Sequence, residues 1–66
     1  MRSFKVNGIN CQNCANTIKN YLKDEFGEVE VDVKNKVVSL NLTDDKLEYF
    51  YSELDDIGFE VEQEIG

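Results

Sequence analysis

Val29-Glu30-Val31-Asp32-Val33-Lys34-Asn35-Lys36-Val37-Val38-Ser39-Leu40-Asn41-Leu42 alternates apolar and polar residues on both sides of a short polar break. In the first half, valine at 29, 31 and 33 alternates with acids at 28, 30 and 32. In the second half, Val38, Leu40 and Leu42 alternate with Val37, Ser39 and Asn41. A period of two residues is the signature of a strand with one face buried and the other in water. The break at Lys34-Asn35-Lys36 supplies the turn, and Asn35 suits the positive φ that a tight hairpin asks for. Closing the hairpin over Asn35 and Lys36 predicts the pairs Val33–Val38, Val31–Leu40 and Val29–Leu42, so that every buried residue faces a buried residue.

On the N-terminal side of this hairpin, Ala15, Ile18 and Leu22 recur at i, i+3 and i+7, one stripe of an amphipathic helix over about 12–25. Gly27 is placed to end it in a left-handed cap. Upstream, Phe4 and Val6 alternate with polar neighbours in Arg2–Asn7, a strand that stops at Gly8. On the C-terminal side, Thr43 is a suitable N-cap with Asp44 and Asp45 in the first turn, where acids complement the helix dipole. Leu47, Phe50, Leu54 and Ile57 form a second apolar stripe that Gly58 closes. Alternation resumes over Phe59–Ile65. The order is strand, helix, strand, strand, helix, strand. Right-handed crossovers then place both helices on one face of a four-stranded antiparallel sheet, the α+β ferredoxin-like arrangement. Residues 1–66 are expected to form one domain. In this topology three connections share one end: residues 8–13, 34–36 and 57–59. Lys34, Lys36, Gly58 and Phe59 are therefore expected near whatever the first of these loops carries.

Composition removes several classes of function. Among 66 residues there are 2 cysteines and no histidine, proline or tryptophan. Imidazole-dependent catalysis is excluded, and four-thiolate zinc and iron–sulfur sites fail on the cysteine count. Seven basic residues against 14 acidic ones give a net charge of −7, the wrong sign for neutralising phosphates or anionic lipid. Nucleic acid is not an expected partner, nor is insertion into a membrane. No apolar run is long enough for a span or a signal-peptide core, so the expected location is the cytoplasm.

Cys11 and Cys14 fall across the junction of the Gly8 loop and the first helix, in Gly8-Ile9-Asn10-Cys11-Gln12-Asn13-Cys14. Free backbone N–H groups and the positive end of the dipole favour thiolate over thiol there. Two thiolates with no other ligand beside them make a soft, low-coordinate site. That suits Cu(I), with Ag(I) and Hg(II) chemically similar; Zn(II) prefers four ligands and would have to recruit water or acids such as Asp55 and Asp56. The bland alternative, two small buried hydrophobes, conflicts with their place off the apolar stripe. C-x-x-C at a helix start is also the layout of thiol–disulfide exchange proteins, a larger fold whose active site carries a cis-proline that this chain has no residue to supply.

The run Val6-Asn7-Gly8-Ile9-Asn10-Cys11-Gln12-Asn13-Cys14-Ala15, with Ile18 and Leu22, resembles the heavy-metal-associated domain family. That family includes small copper chaperones and the N-terminal domains of metal-transporting P-type ATPases. Its signature is Gly-Met-x-Cys-x-x-Cys, and its members share the element order above. The resemblance spans the chain and extends to Asp56-Ile57-Gly58-Phe59, which resembles the family's second metal-proximal loop. It implies that Cys11 and Cys14 are the metal-binding thiolates. Ile9 stands at the signature's methionine position, which packs beneath the loop and is not a ligand. Asn10 stands where zinc- and cadmium-selective members often carry aspartate. Phe59 stands where chaperones often carry lysine or tyrosine, and is closer to the ATPase domains. With no cation at 59, Lys34 and Lys36 are expected to offset the charge of a bis-thiolate complex.

The resulting expectation is a non-enzymatic copper chaperone-type module that carries Cu(I) and passes it by thiolate exchange to a heavy-metal P-type ATPase or its metal-binding domain. It is expected as a monomer or a metal-bridged dimer. The alternatives are an excised domain of the ATPase itself, a Zn(II)-, Cd(II)- or Hg(II)-binding member, and a small dithiol redox protein. Met1 at the start and an end soon after the last strand favour a free-standing protein. RNA-recognition domains share the topology but need aromatics on the open sheet face. Here that face is expected to present Glu30, Asp32, Ser39, Asn41, Glu60 and Glu62.

Overall fold

The computed structural model describes residues 1–66. Its elements run β1 (Arg2–Asn7), α1 (Gln12–Phe26), β2 (Val29–Asp32), β3 (Val37–Leu40), a 3₁₀ turn (Asp44–Lys46), α2 (Leu47–Asp56) and β4 (Glu60–Glu64). The strands form one sheet in the order β2-β3-β1-β4, every neighbouring pair antiparallel. This is the ferredoxin-like arrangement expected from the sequence, and it puts the two central strands between edges β2 and β4.

The apolar stripes meet where the periodicities direct them. Phe4, Val6, Val38 and Leu40 from the central strands join Ile18 and Leu22 of α1 and Phe50 and Leu54 of α2, all fully buried. The Phe4 and Phe50 rings lie 4.8 Å apart and tilted, and Phe26 meets Phe50 edge-on at 6.0 Å. Paired aromatics of this kind add about 0.5–1.5 kcal/mol to their area burial. No buried side-chain polar atom lacks a hydrogen-bond partner. Every buried residue is apolar, so the polar groups and the thiols sit at the rim of the core.

Five details differ from expectation. The hairpin register is Val29–Leu40, Glu30–Ser39, Val31–Val38 and Asp32–Val37, two residues away from the expected pairing. A two-residue shift keeps each side chain on its face, so the alternation that identifies the strands is blind to it. The turn decides instead. Asp32 accepts hydrogen bonds from the Asn35 backbone N–H (3.1 Å) and side-chain amide (2.8 Å), which closes a four-residue loop over 33–36. The positive φ falls on Lys36 (60°), not Asn35. At the second helix, Thr43 makes no side-chain cap; the chain first winds through the 3₁₀ turn and α2 begins at Leu47. At the end of α1, Gly27 has the expected positive φ (78°), but its ψ of −134° lies outside the left-handed helical well. Finally, the open sheet face is less acidic than expected, because β1 contributes Ser3 and Lys5 beside Val37 and Ser39 of β3.

Candidate metal centre

The loop between β1 and α1 is held from below. Gly8 has φ +105°, and a Cβ there would come within 3.0 Å of Phe59 Cδ1. Both the backbone conformation and the close approach of the ring therefore require glycine. Ile9, next along, is fully buried in the main core, and Phe59 is only 8% exposed. Phe59 in turn is fixed by α2, its N–H donating to the Leu54 carbonyl at 2.9 Å. The expected meeting of the first loop with Gly58 and Phe59 is thus present, and Ile9 is the apolar plug expected at its position.

Above this floor the chain enters α1. Cys11 is the N-cap residue, extended at φ −159° and ψ 173°. Its carbonyl accepts from the N–H groups of Cys14 (3.1 Å) and Ala15 (3.2 Å), while its side chain makes no capping hydrogen bond. The sulfur is left exposed and free to face outward. Cys14, one turn along, is half-buried and packs against the core. The two Sγ atoms lie 3.8 Å apart, well beyond the ~2.05 Å of a disulfide. Both are free thiols that converge on one point at the positive end of a 15-residue helix. The Cys14 backbone N–H, then the Cys14 thiol and the Asn13 backbone N–H, hold the Cys11 thiol below the ordinary cysteine range. No acid stands in the first turn of α1 to oppose this. The turn is also braced by its own side chains, Thr17 Oγ1 donating to the Asn13 carbonyl at 2.9 Å and Gln12 to Asn16 Oδ1 at 3.2 Å.

No further candidate ligand joins the pair. Nowhere are three or more Cys, His, Asp or Glu side chains arranged to hold a metal ion. That includes Asp55 and Asp56, the acids the topology brings nearest. Metal–thiolate bonds of about 2.3 Å on either side of an ion span at most about 4.6 Å, so the observed separation leaves room for one ion between the sulfurs. Lys34 and Lys36 lie on the hairpin turn, at the end of the sheet where β1 runs into the cysteine loop. The Lys36 carbonyl accepts from the Val6 N–H at 2.9 Å, drawing the hairpin turn onto β1. The lysine side chains then line a groove with Lys5, Asn7, Val37 and Ile65 that contains neither cysteine. What the sequence left unseen is the depth of Phe59: an aromatic after Gly58 reads equally well as a loop residue or as a floor.

The fold has solved counterparts. The copper chaperone Atx1 from Synechocystis PCC6803, in a trimeric form of a histidine-to-tyrosine variant, matches with a TM-score of 0.75 and 26% identity, over 91% of this chain and 97% of that one. A CopZ metallochaperone matches with a TM-score of 0.77 and 23% identity, over 91% and 96%. No family model matches the chain, and no curated protein matches it in sequence. A small α+β domain with paired thiols at a helix start, it has the fold of the heavy-metal-associated family. The resemblance its sequence carries to that family is borne out.

Proposed function

We propose that residues 1–66 form one heavy-metal-associated domain that binds a single Cu(I) through Cys11 and Cys14 and hands it to a partner carrying a similar thiolate pair. The observation that carries this reading is the pair of free sulfurs 3.8 Å apart at the start of α1, with no third ligand gathered beside them. A soft monovalent ion is satisfied by two thiolates, whereas Zn(II) seeks four ligands. The described uses of the two structural counterparts, a copper chaperone and a metallochaperone, point the same way.

Low coordination is what makes transfer work. With only two ligands on the ion, an incoming thiolate adds to form a three-coordinate bridge, and one original thiolate then leaves. The ion passes from chain to chain without being released to water. Cys11, the exposed sulfur, is the one placed to let go or to be joined first, while Cys14 stays anchored against the core. No bond is made or broken in an organic substrate, so the role is not enzymatic. The natural recipient is the metal-binding domain of a copper-transporting P-type ATPase, met in the cytoplasm. No helix of the chain is long and apolar enough to cross a membrane.

Titrating Cu(I) into the reduced protein against a chromogenic chelator tests this. One equivalent bound by the wild type, and a loss of at least about tenfold in affinity for Cys11→Ser and for Cys14→Ser, is expected. Retention in the double variant would overturn the reading. Parallel titrations with Zn(II), Cd(II) and Hg(II) address the family's other cargoes. Assay of disulfide reduction in a protein substrate addresses dithiol redox chemistry, for which the thiols at a helix start are the favouring feature.

A further inference from the structure

The strand β2 is an edge, bonded only to β3. No hydrogen bond outside that ladder reaches the backbone of residues 28–33, so one row of its N–H and C=O groups has no partner. Two open grooves follow it. One wraps the strand, with Gln12 and Lys19 on the helix side and Glu30, Asp32 and Ser39 on the open sheet face. The other continues past Lys19 to Lys23, Gly27, Glu28 and Val29. Val31 and Val33 are half-buried along this line, packed against the core, while Glu28, Glu30 and Asp32 are exposed on the alternate positions. None of these acids is in a salt bridge; the chain's two ion pairs both belong to Arg2.

We propose that the β2 edge is a docking site for an extended segment of a partner protein that carries lysine or arginine at every second position and apolar residues between. The unpaired backbone row supplies main-chain hydrogen bonds, as in other cases of strand addition. The charge pattern selects the occupant. A second copy pairing antiparallel at this edge would set Glu28, Glu30 and Asp32 against the same acids, and like charges directly opposite are destabilising. A strand with cations at those positions meets opposite charge at each one. Its intervening apolar residues lie over Val31, Val33 and the aliphatic stem of Lys19. The other edge, β4, carries Glu60, Glu62 and Glu64, but its register shifts against β1 and Glu64 is already held by Arg2. It is the poorer template. The groove at β2 runs up to Gln12, the first residue of α1.

The test uses the whole reduced chain without metal and the peptide Thr-Lys-Val-Lys-Val-Lys-Thr, with Thr-Glu-Val-Glu-Val-Glu-Thr as the inverted control. NMR titration with amide exchange is expected to show shifts and new protection at 29–32 for the basic peptide and none for the acidic one. Glu28→Lys with Glu30→Lys is expected to weaken binding about tenfold or more. Glu60→Lys with Glu62→Lys, equal in charge change but on the other edge, is expected to change it less than about threefold. Binding that maps to the helices or to β4, equal losses in the two variants, or no binding at all would overturn the proposal. Self-association through 29–32 would overturn it too. The Cys11→Ser/Cys14→Ser chain should bind the peptide as the wild type does, so failure here and failure of the copper reading are separately visible.

Discussion

At the scale of single residues, the thiol pair depends on what lies beneath it. Ile9 is fully enclosed, and Ile9→Ala is expected to lower stability by about 2–5 kcal/mol in denaturant unfolding. Ile9→Met, which restores the family's own residue at nearly the same volume, should cost less than about 1.5 kcal/mol. Gly8→Ala meets both a φ of +105° and the Phe59 ring, and is expected to cost about 1–3 kcal/mol and to displace the loop. Cys11 titrates below an ordinary thiol because first-turn N–H groups favour its anion. Its alkylation rate plotted against pH is therefore expected to rise at lower pH than that of a cysteine in an unfolded peptide. Being the exposed member of the pair, Cys11 is also expected to be labelled before Cys14, which peptide mapping of partially alkylated protein reads directly.

Among elements, the β2–β3 hairpin has the most to say about reading structure from sequence. Its pairing predicts cross-strand proton contacts between Val31 and Val38 and between Val29 and Leu40, measurable as nuclear Overhauser effects; contacts between Val31 and Leu40 as direct partners would contradict it. Alternation made both strands legible, together with their buried faces, because burial depends on parity alone. Register depends on the loop, and here a carboxylate accepting from Asn35 sets the loop length. Asp32 read simply as one more acid on the solvent face, so the sequence alone did not announce that role. The entry to α2 shows the same limit. Thr43 and its acids mark where a helix begins, but not that the first turn is 3₁₀. The site was legible for a different reason: a glycine loop, paired cysteines and a helix start are contiguous, so their meeting needs no long-range contact. Lys34 and Lys36 belong to another loop, and topology alone puts them at the same end of the sheet without fixing how far they stand from the sulfurs.

At the scale of the molecule, Arg2 was the contact hardest to foresee, since its partners are 42 and 62 residues away. Its guanidinium donates to both oxygens of Glu64, at 2.6 and 2.7 Å, and to Asp44 at 2.8 Å, tying β1 to β4 and to the start of the 3₁₀ turn. Arg2 depresses the Glu64 carboxyl, and Asn35 depresses that of Asp32. A depressed carboxylate stabilises the fold above its unfolded pKa, and that contribution is lost as pH falls through the lower folded value. Stability is thus expected to decline below the usual carboxylate range. Arg2→Ala should lower the melting temperature near pH 7, with the difference from wild type shrinking in acid and in high salt. An Arg2→Ala effect unchanged at low pH would show that the side chain acts through packing instead. Tyr49, beside Glu53 and Glu25, is pushed up to about 12, so its ultraviolet titration should come later than that of free tyrosine.

The fold, the loop floor and the helix start together hold two sulfurs 3.8 Å apart, the arrangement proposed to grip a soft ion without further help. X-ray absorption at the copper edge, on reduced protein loaded with one equivalent of Cu(I), reads that arrangement at the metal. Two sulfur neighbours and no nitrogen or oxygen neighbour are the expected result. A first shell that contains nitrogen or oxygen, or that is unchanged when Cys11 and Cys14 are both serine, would contradict the account.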